Sequence, residues 1–576
     1  MLSLPSQKYQ HYTPLNLQDR KWPSNTVTNC PVWLSTDLRD GNQALSVPMT
    51  IQQKIELFHL LAKIGFREIE VGFPSASDTE FGFVRRLIET NIIPDSVWIQ
   101  VMMPARKANI LRTFEAIQGA KKVMLQLYSS TAPLFRDVIY KISKEDVIKL
   151  AVEHTHLVRL IANKYALKYG TEFRLVYGIE GFTQSELDFV IQVCSEVKDA
   201  WESHGDDMRP IIFNLAATVE CAPANHFADQ VEYFDQKFPD RNQIILSIHV
   251  HNDRGTAVSA TELALLAGAE RVEGCLFGNG ERTGNVDLIT LALNLYSQGI
   301  SPGLDLSNLN ELVTFMTNCT GIPVHPRHPY AGELVYTAFS GGHQDGIKKG
   351  LHHRSRNLTI GISNACVWTV PYLPVDPSDF GRAYEVRINS QSGKGGAAHV
   401  IEQFYGLLMP AEMQAEFSQV IQQICDSEAR ELDAAEICFH FSEMFSFQDK
   451  LSGRILSQKL LSLQNFQIQD TNAQSISGAV VFGTQQISFC LDLLDKNPAE
   501  VFLSWIMKKI AVDLTFSDEE VQISNEGAIS FVKLRSRKVD QQVYHFWGVG
   551  KAKYRQKAAV RGAVSAVNHY FNHSML

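Results

Sequence analysis

Between Pro31 and Gln298 the chain repeats one pattern eight times: a short β-branched or apolar run, then an amphipathic helical stretch. The strand-like runs fall at 32–36, 68–73, 98–103, 123–128, 173–177, 210–215, 244–250 and 272–277. Windows between them, such as 51–64, 144–165, 184–200 and 256–267, place apolar residues three and four apart, as a packed helix requires. Strands covered on both faces read as near-continuous apolar runs, so this alternation predicts an α/β chain whose strands close into a (β/α)8 TIM barrel. A doubly wound open sheet is the competing reading, because periodicity does not distinguish closure from an open edge. The count of eight favours the barrel.

The barrel leaves much of the 576 residues unassigned, and the length allows two to four domains at roughly 100–200 residues each. After residue 300 the rhythm changes to segments rich in Gly, His, Pro and Tyr at 323–350 and 368–376, a glycine-rich loop at 390–396 and a helical stretch at 409–447. Strand-like runs at 479–482, 486–491 and 543–548 then precede a helix at 556–571, which predicts a small α+β domain with no repeat of 20–50 residues inside it. The expected domains are an N-terminal extension 1–30, the barrel 31–325, helical linker subdomains 326–455 and the C-terminal α+β domain 456–576.

A net charge of −9 supplies no basic footprint for nucleic acid. The lysines and arginines between 533 and 561 make the last region locally basic, and a solvated face is the expected explanation. The first twenty residues lack the pattern of a secretion signal, and no apolar run approaches the 18 or more residues of a membrane span. Nine scattered cysteines without a CxxC pair suit reduced thiols. A cytoplasmic protein without membrane or nucleic-acid partners is expected.

The chemistry concentrates at strand ends. In HVHNDRG at 249–255, His249 and His251 are two apart on a strand and therefore present both imidazoles on one face, at the C-terminal rim where active sites of such barrels sit. The first strand runs into STDLRDG at 35–41, which brings a carboxylate to the same rim, and GNGERTGN at 278–285 adds amide oxygens and another carboxylate. A mixed His/Asp/Asn set with open positions suits Mg, Mn or Zn as a Lewis acid. An isolated His-x-His is more often two exposed strand residues; here two polar rim loops converge on it.

These segments, with STDLRDGNQAL at 35–45, NLAATVE at 214–220, FSGGHQDGI at 339–347 and PYLP at 371–374, resemble the signature segments of the 2-isopropylmalate synthases, within the wider family of acyl-CoA condensing and lyase barrels. The resemblance covers residues 8–400 in order. It implies that Asp40, His249 and His251 ligate a divalent metal ion, with Asn285 associated with the site. It further implies that Arg39 polarises a ketone oxygen, that Gln43, Gln126 and Thr218 contact substrate, and that Glu180 is an active-site acid. His343 and Tyr372, outside the barrel, would reach the active site of a partner subunit in a homodimer, His343 serving proton transfer. The activity implied is condensation of acetyl-CoA with the 2-oxo acid 3-methyl-2-oxobutanoate, followed by thioester hydrolysis, the committed step of leucine biosynthesis. Alone, Arg39 and Asp40 read as an exposed ion pair contributing about 0–1 kcal/mol, and Tyr372 as core.

The chain departs from the synthase pattern where histidine is usual and Gln126 stands, and where serine is usual and Gly178 stands. Glutamine donates and accepts hydrogen bonds but does not titrate near neutral pH, so no proton is handled there, and the 2-oxo acid is left open. Val543 to Asn568 resembles the end of a leucine-binding regulatory domain, which makes leucine a candidate effector, but residues 523–528 stand where its usual loop is expected, and leucine feedback is left open. Two other functions compete: a sister synthase of homocitrate or other 2-alkylmalate type, and an inactive regulatory barrel, against which the apparently full ligand set argues.

Overall fold

The computed structural model describes all residues except 204–209, 362–365, 389–393, 448–458, 469–474, 525–526, 538–542 and 575–576. It divides into two compact units, Met1–Val335 with Pro377–Arg382, and Tyr336–Asp376 with Ala383–Leu576.

In the first unit, β1 (Val32–Ser35), β2 (Glu68–Gly72), β3 (Trp98–Pro104), β4 (Lys122–Ser130), β5 (Glu172–Glu180), β6 (Ile211–Ala217), β7 (Ile244–Val250) and β8 (Arg271–Gly274) close into a parallel barrel in chain order. Closure is made by β1 on β8, in the register Leu34↔Glu273. The eight expected strands all form, but the eighth stops at Gly274 rather than 277. There the returning chain crosses close by: a Cβ on Gly274 would meet Val286 at 2.7 Å, and Cys275 bridges to Asp287. The backbone then turns, with Phe277 at φ 57.

Local signals set the helix limits. Ile51–Ile64 starts in a capping box of Thr50 and Gln53 and stops at Gly65, φ 118. Lys144–Tyr169 starts in the Ser143/Asp146 box and stops at Gly170, φ 71, four residues beyond the expected 165. In both, side chains satisfy the first free N–H groups and glycine supplies the left-handed stop.

Inside the barrel, Leu34, Met124, Val176 and Ile212 form a fully buried apolar layer. Two residues further along three of these strands, on the same face, stand Gln126, Gly178 and Asn214. Barrel interiors are ordinarily filled by branched apolar residues, yet here Glu68, Glu70, Gln100, Ser247, Arg271 and Glu273 are all buried.

The second unit opens with a two-stranded parallel pair, β9 (Thr337–Ala338) and β10 (Glu385–Val386), and the helices Gly341–Thr359, Lys394–Tyr405, Ala411–Glu428 and Ala434–Met444. Two antiparallel sheets follow. The first is β11 (Leu461–Ile468), β12 (Ser475–Phe482) and β13 (Gln485–Asp492) with helix Pro498–Ile510; the second is β14 (Leu514–Ser524), β15 (Gly527–Arg537) and β16 (Val543–Ala552) with helix Arg555–Ser574. The backbone therefore repeats a β-β-β-α module that the sequence does not betray. The modules share a core in which Val480, Phe502 and Ile506 join Val532, Val560 and Ala563. The expected runs 479–482, 486–491 and 543–548 lie in β12, β13 and β16; β11, β14 and β15 go unpredicted, β14 because of its polar Asp518, Glu519 and Glu520 stretch, whereas β15 is mostly buried around Ile529, Phe531, Val532 and Leu534. Residues 390–393 of the expected glycine-rich loop, with Asn525, Glu526 and Lys538, lie outside the described residues, and 394–396 open a helix. Among the described residues no helix is long and apolar enough to cross a membrane.

Candidate active site

Three elements deliver the candidate ligands. The turn after β1 is a π-helical turn, Asp37–Gly41, of a kind frequent at functional sites, and it buries Arg39 and Asp40 side by side. Asp37 faces elsewhere: its carboxylate accepts from the Leu276 N–H at 3.1 Å and Ser35 Oγ at 2.7 Å, and burial pushes it up to about 7. Asp40 is thus the carboxylate that the first strand brings to the rim. The end of β7 presents His249 and His251 together, ring centroids 5.1 Å apart. Asn285 arrives because the loop after β8 folds back along β7, through a His251↔Asn285 bridge and a Val286 N–H to Val250 C=O bond of 2.8 Å.

Asp40 Oδ2 lies 3.3 Å from His249 Nε2 and 3.8 Å from His251 Nε2, and one donor atom from each of the three buried residues falls within 4.8 Å of the others. Asn285 Nδ2 donates to Asp40 Oδ2 at 2.8 Å, whereas its Oδ1, like His251 Nδ1, is buried without a hydrogen-bond partner. Buried polar atoms are ordinarily satisfied, so the orphaned Asn285 Oδ1 beside a carboxylate and two imidazoles is a fit for a divalent cation.

The electrostatics agree. Burial works to neutralise Asp40, but Arg39, His249 and His251 outweigh it and hold the carboxyl well below the usual range. Burial likewise opposes charge on His249, yet hydrogen bonds to Asp40 and Glu273 raise it to about 9, while burial and the neighbouring His249 lower His251 to about 4. The surrounding carboxylates favour one positive charge between them, proton or cation. Arg39 is held charged by Glu70 and Asp40 in spite of its burial. Its Nε donates to Glu70 Oε2 at 2.8 Å and its Nη1 lies 3.2 Å from Asp40 Oδ1.

Of the residues singled out in the sequence, Arg39, Asp40, Gln43, Gln126, Glu180, Thr218, His249 and His251 line a single cavity of about 270 Å³ at the barrel mouth, together with Gly178. Gln126 is anchored by Gln100 Nε2, which donates to its Oε1 at 2.6 Å. Thr218 Oγ1 accepts from the Gly181 N–H at 2.9 Å, and Ser130 Oγ donates to Glu180. His343 and Tyr372 belong to the second unit, where their rings stack 4.1 Å apart. Glycines 346 and 350, one turn apart on helix Gly341–Thr359, make the groove for this: Cβ atoms there would fall 2.8 Å from the Tyr372 ring and 2.5 Å from Pro371. Glu70, Gln100, Arg271 and Glu273 escaped the sequence reading. The signal was present in EIE at 68–70 and RVE at 271–273, charged residues two apart in strands that must be buried on both faces.

A closed parallel barrel with carboxylate, imidazoles and guanidinium gathered at its C-terminal rim defines a barrel enzyme of the acyl-CoA condensing and lyase class, and residues 31–316 match the HMGL-like family. Residues 333–402 match the alpha-isopropylmalate synthase post-catalytic domain-like family. The chain is 44% identical over 574 residues to the 2-isopropylmalate synthase of Ralstonia nicotianae, covering 99% of this chain and 95% of that protein. It is 51% identical over 447 residues to that of Parvibaculum lavamentivorans, 77% of each, and 42% identical over 578 residues to that of Saccharomyces cerevisiae, 99% of this chain and 91% of the relative. The chain belongs to the 2-isopropylmalate synthase family.

Proposed function

We propose that the chain condenses acetyl-CoA with 3-methyl-2-oxobutanoate and hydrolyses the thioester, releasing 2-isopropylmalate and CoA, the committed step of leucine biosynthesis. The observation that carries this reading is the convergence of Asp40, His249 and His251 on one point beside the buried guanidinium of Arg39, over a cavity sized for a small acid. Pockets for drug-sized ligands span roughly 300–1,000 Å³, so about 270 Å³ suits a branched 2-oxo acid.

Asp40, His249 and His251 hold a Mg, Mn or Zn ion, with Asn285 Oδ1 beside them. When bound, that ion supplies Lewis-acid polarisation of the ketone. Arg39, fixed by Glu70, adds a charge that cannot titrate away and stabilises the alkoxide developing as the carbon–carbon bond forms. Gln43, Gln126 and Thr218 orient the 2-oxo acid, and Glu180, held by Ser130, is the active-site acid. A thioester methyl is a poor carbon acid, so enolisation needs a positioned base. His343, backed by Tyr372, takes the proton-transfer role from the partner subunit of a homodimer.

In this reading the catalytic barrel is 31–325 after an extension 1–30, residues 326–455 link it to the partner's site, and 456–576 form a regulatory domain that responds to leucine in a cytoplasmic enzyme. The test is thiol release from acetyl-CoA across a panel of 2-oxo acids, with and without leucine. Preference for 3-methyl-2-oxobutanoate is expected, and equal or better turnover of another 2-oxo acid would overturn the assignment.

A further inference from the structure

Beneath the rim, hydrogen bonds and ion pairs close into a ring of seven buried residues. Arg39 bridges Asp40 at 3.2 Å and Glu70 at 2.8 Å. Gln100 Nε2 donates to Glu70 at 3.3 Å, and Arg271 Nη2 donates to Gln100 Oε1 at 2.8 Å. Arg271 Nη1 donates to Glu273 Oε1 at 2.5 Å, Glu273 Oε2 faces His249 Nδ1 at 3.2 Å, and His249 Nε2 returns to Asp40. Glu70, Gln100, Arg271 and Glu273 are fully buried and do not line the cavity, so whatever they do for the reaction they do through Arg39 and His249.

Glu273 holds the decisive place. A neutral imidazole has one N–H and one lone pair, and an anionic acceptor at Nδ1 fixes the proton there, leaving the Nε2 lone pair for a cation. Glu273 meets the requirement by its placement: Oε2 lies 3.2 Å from His249 Nδ1, and Oε1 is paired with the fully buried guanidinium of Arg271. Its orientation is fixed twice, by Arg271 and by Asn214 Nδ2, which donates to Oε2 at 2.8 Å. Arg271 is in turn immobilised by Glu68 at 2.6 Å and Ser247 at 2.8 Å. His251 has no such backing, since its Nδ1 is without a hydrogen-bond partner.

We propose that Glu273, clamped by Arg271 and Asn214, is the positioning residue that aims His249 Nε2 at the cation and thereby sets the metal affinity of the Asp40, His249 and His251 site. This rests on the reading of those three residues as metal ligands. Partners of this kind on ligating histidines alter affinity by roughly 10–100-fold.

The test is titration of metal-free full-length protein with Zn²⁺ against a chromophoric chelator, with circular dichroism to register folding. Glu273→Gln, which keeps the shape, weakens Zn²⁺ about 10–100-fold. Glu68→Gln, which takes the other carboxylate from Arg271 but leaves the His249 contact, changes it less than about threefold. Asn214→Ala keeps every charge and loosens one bond to Glu273, weakening binding about 2–10-fold, and it carries the test should Glu273→Gln not fold. Affinity of Glu273→Gln within twofold of the parent, or equal losses in Glu68→Gln and Glu273→Gln, overturns the proposal. Absence of Zn²⁺ binding by the parent protein overturns the ligand reading itself, whichever 2-oxo acid the enzyme uses.

Discussion

Arg39 Nε and Glu70 Oε2 lie 2.8 Å apart in a buried pair, and the same guanidinium reaches Asp40 through Nη1. The planar fork is thus fixed on two sides while its charge borders the cavity. Lysine keeps the charge but has no fork to be held at both ends. Arg39→Lys should lower kcat by about 10²–10³-fold, the loss typical of removing one preorganised donor from a developing oxyanion. Steady-state kinetics checks this, together with a melting temperature near the parent's.

His251 is buried at the barrel mouth, with its Nδ1 lacking a hydrogen-bond partner. His251→Ala removes one of the three proposed ligands, and forfeiting several kcal/mol of electrophilic stabilisation corresponds to a turnover loss of at least about 10³-fold. Metal content after dialysis should fall in parallel, while far-ultraviolet circular dichroism stays unchanged. Parent-like turnover would remove His251 from the site.

The glycine groove under Tyr372 gives a test at a distance from the barrel chemistry. In Gly346→Ala the new methyl lies 2.8 Å from the Tyr372 ring and forces it off His343. If that stack orients His343 for proton transfer, a displacement of about 1 Å costs up to roughly 10²-fold in kcat, with little change in stability because the tyrosine is exposed. Gly342→Ala, on the same helix but clear of the ring, is the control: the nearest side-chain atom to its new methyl is Ser340 Oγ at 3.9 Å.

The barrel was legible because most of its strands, β6 and β7 above all, keep the near-continuous apolar runs of parallel strands covered on both faces, and because His249 and His251 share a face by simple alternation. The partner carboxylate was narrowed only by geometry, since Asp37 and Asp40 both follow the first strand and the π-helical turn decides which one faces the rim. Glu273 and Arg271 were hidden for the opposite reason. Their strand is only four residues long, and their ionic partners lie on β2 and β7, far away in sequence. In the last region, strands such as β14 are half solvated and rich in acidic residues, so hydropathy gave no period to follow; hydrogen-bond register, not apolar pattern, makes them strands.

Stability should respond to pH through Glu416 on helix Ala411–Glu428. Burial pushes its carboxyl up to about 7, and burial also lowers the neighbouring His569 to about 4. His569 Nδ1 donates to the Trp547 carbonyl at 2.9 Å, which leaves Nε2, 3.5 Å from Glu416 Oε1, an acceptor suited to the protonated acid. The 3.5 Å contact is therefore not an ion pair near pH 6. A carboxyl with its folded pKa above its unfolded one costs nothing below the unfolded value, and its penalty grows as pH rises towards 7 and is full above it. Glu416→Gln should match the parent at pH 4 and exceed it at pH 8. The difference is about 1–2 kcal/mol once the 33% exposure of the side chain is allowed for, read as a shift in denaturant midpoint.

Placing His343 in the partner's site makes a prediction that separates action between subunits from action within one. Asp40→Asn disables the barrel of its own chain, and His343→Ala disables whichever barrel its histidine serves. In a symmetric dimer built from one chain of each kind, action in trans leaves one barrel with both defects and the other with neither. Equal mixing makes about half the dimers mixed, so the refolded population regains about a quarter of parent activity if exchange is complete. Action in cis gives every barrel one defect and no recovery. The measurement is CoA release after co-refolding the two variants at equal concentration, against each variant refolded alone. Recovery near a quarter assigns His343 to the partner's site, and a mixture no more active than its parents removes it from there.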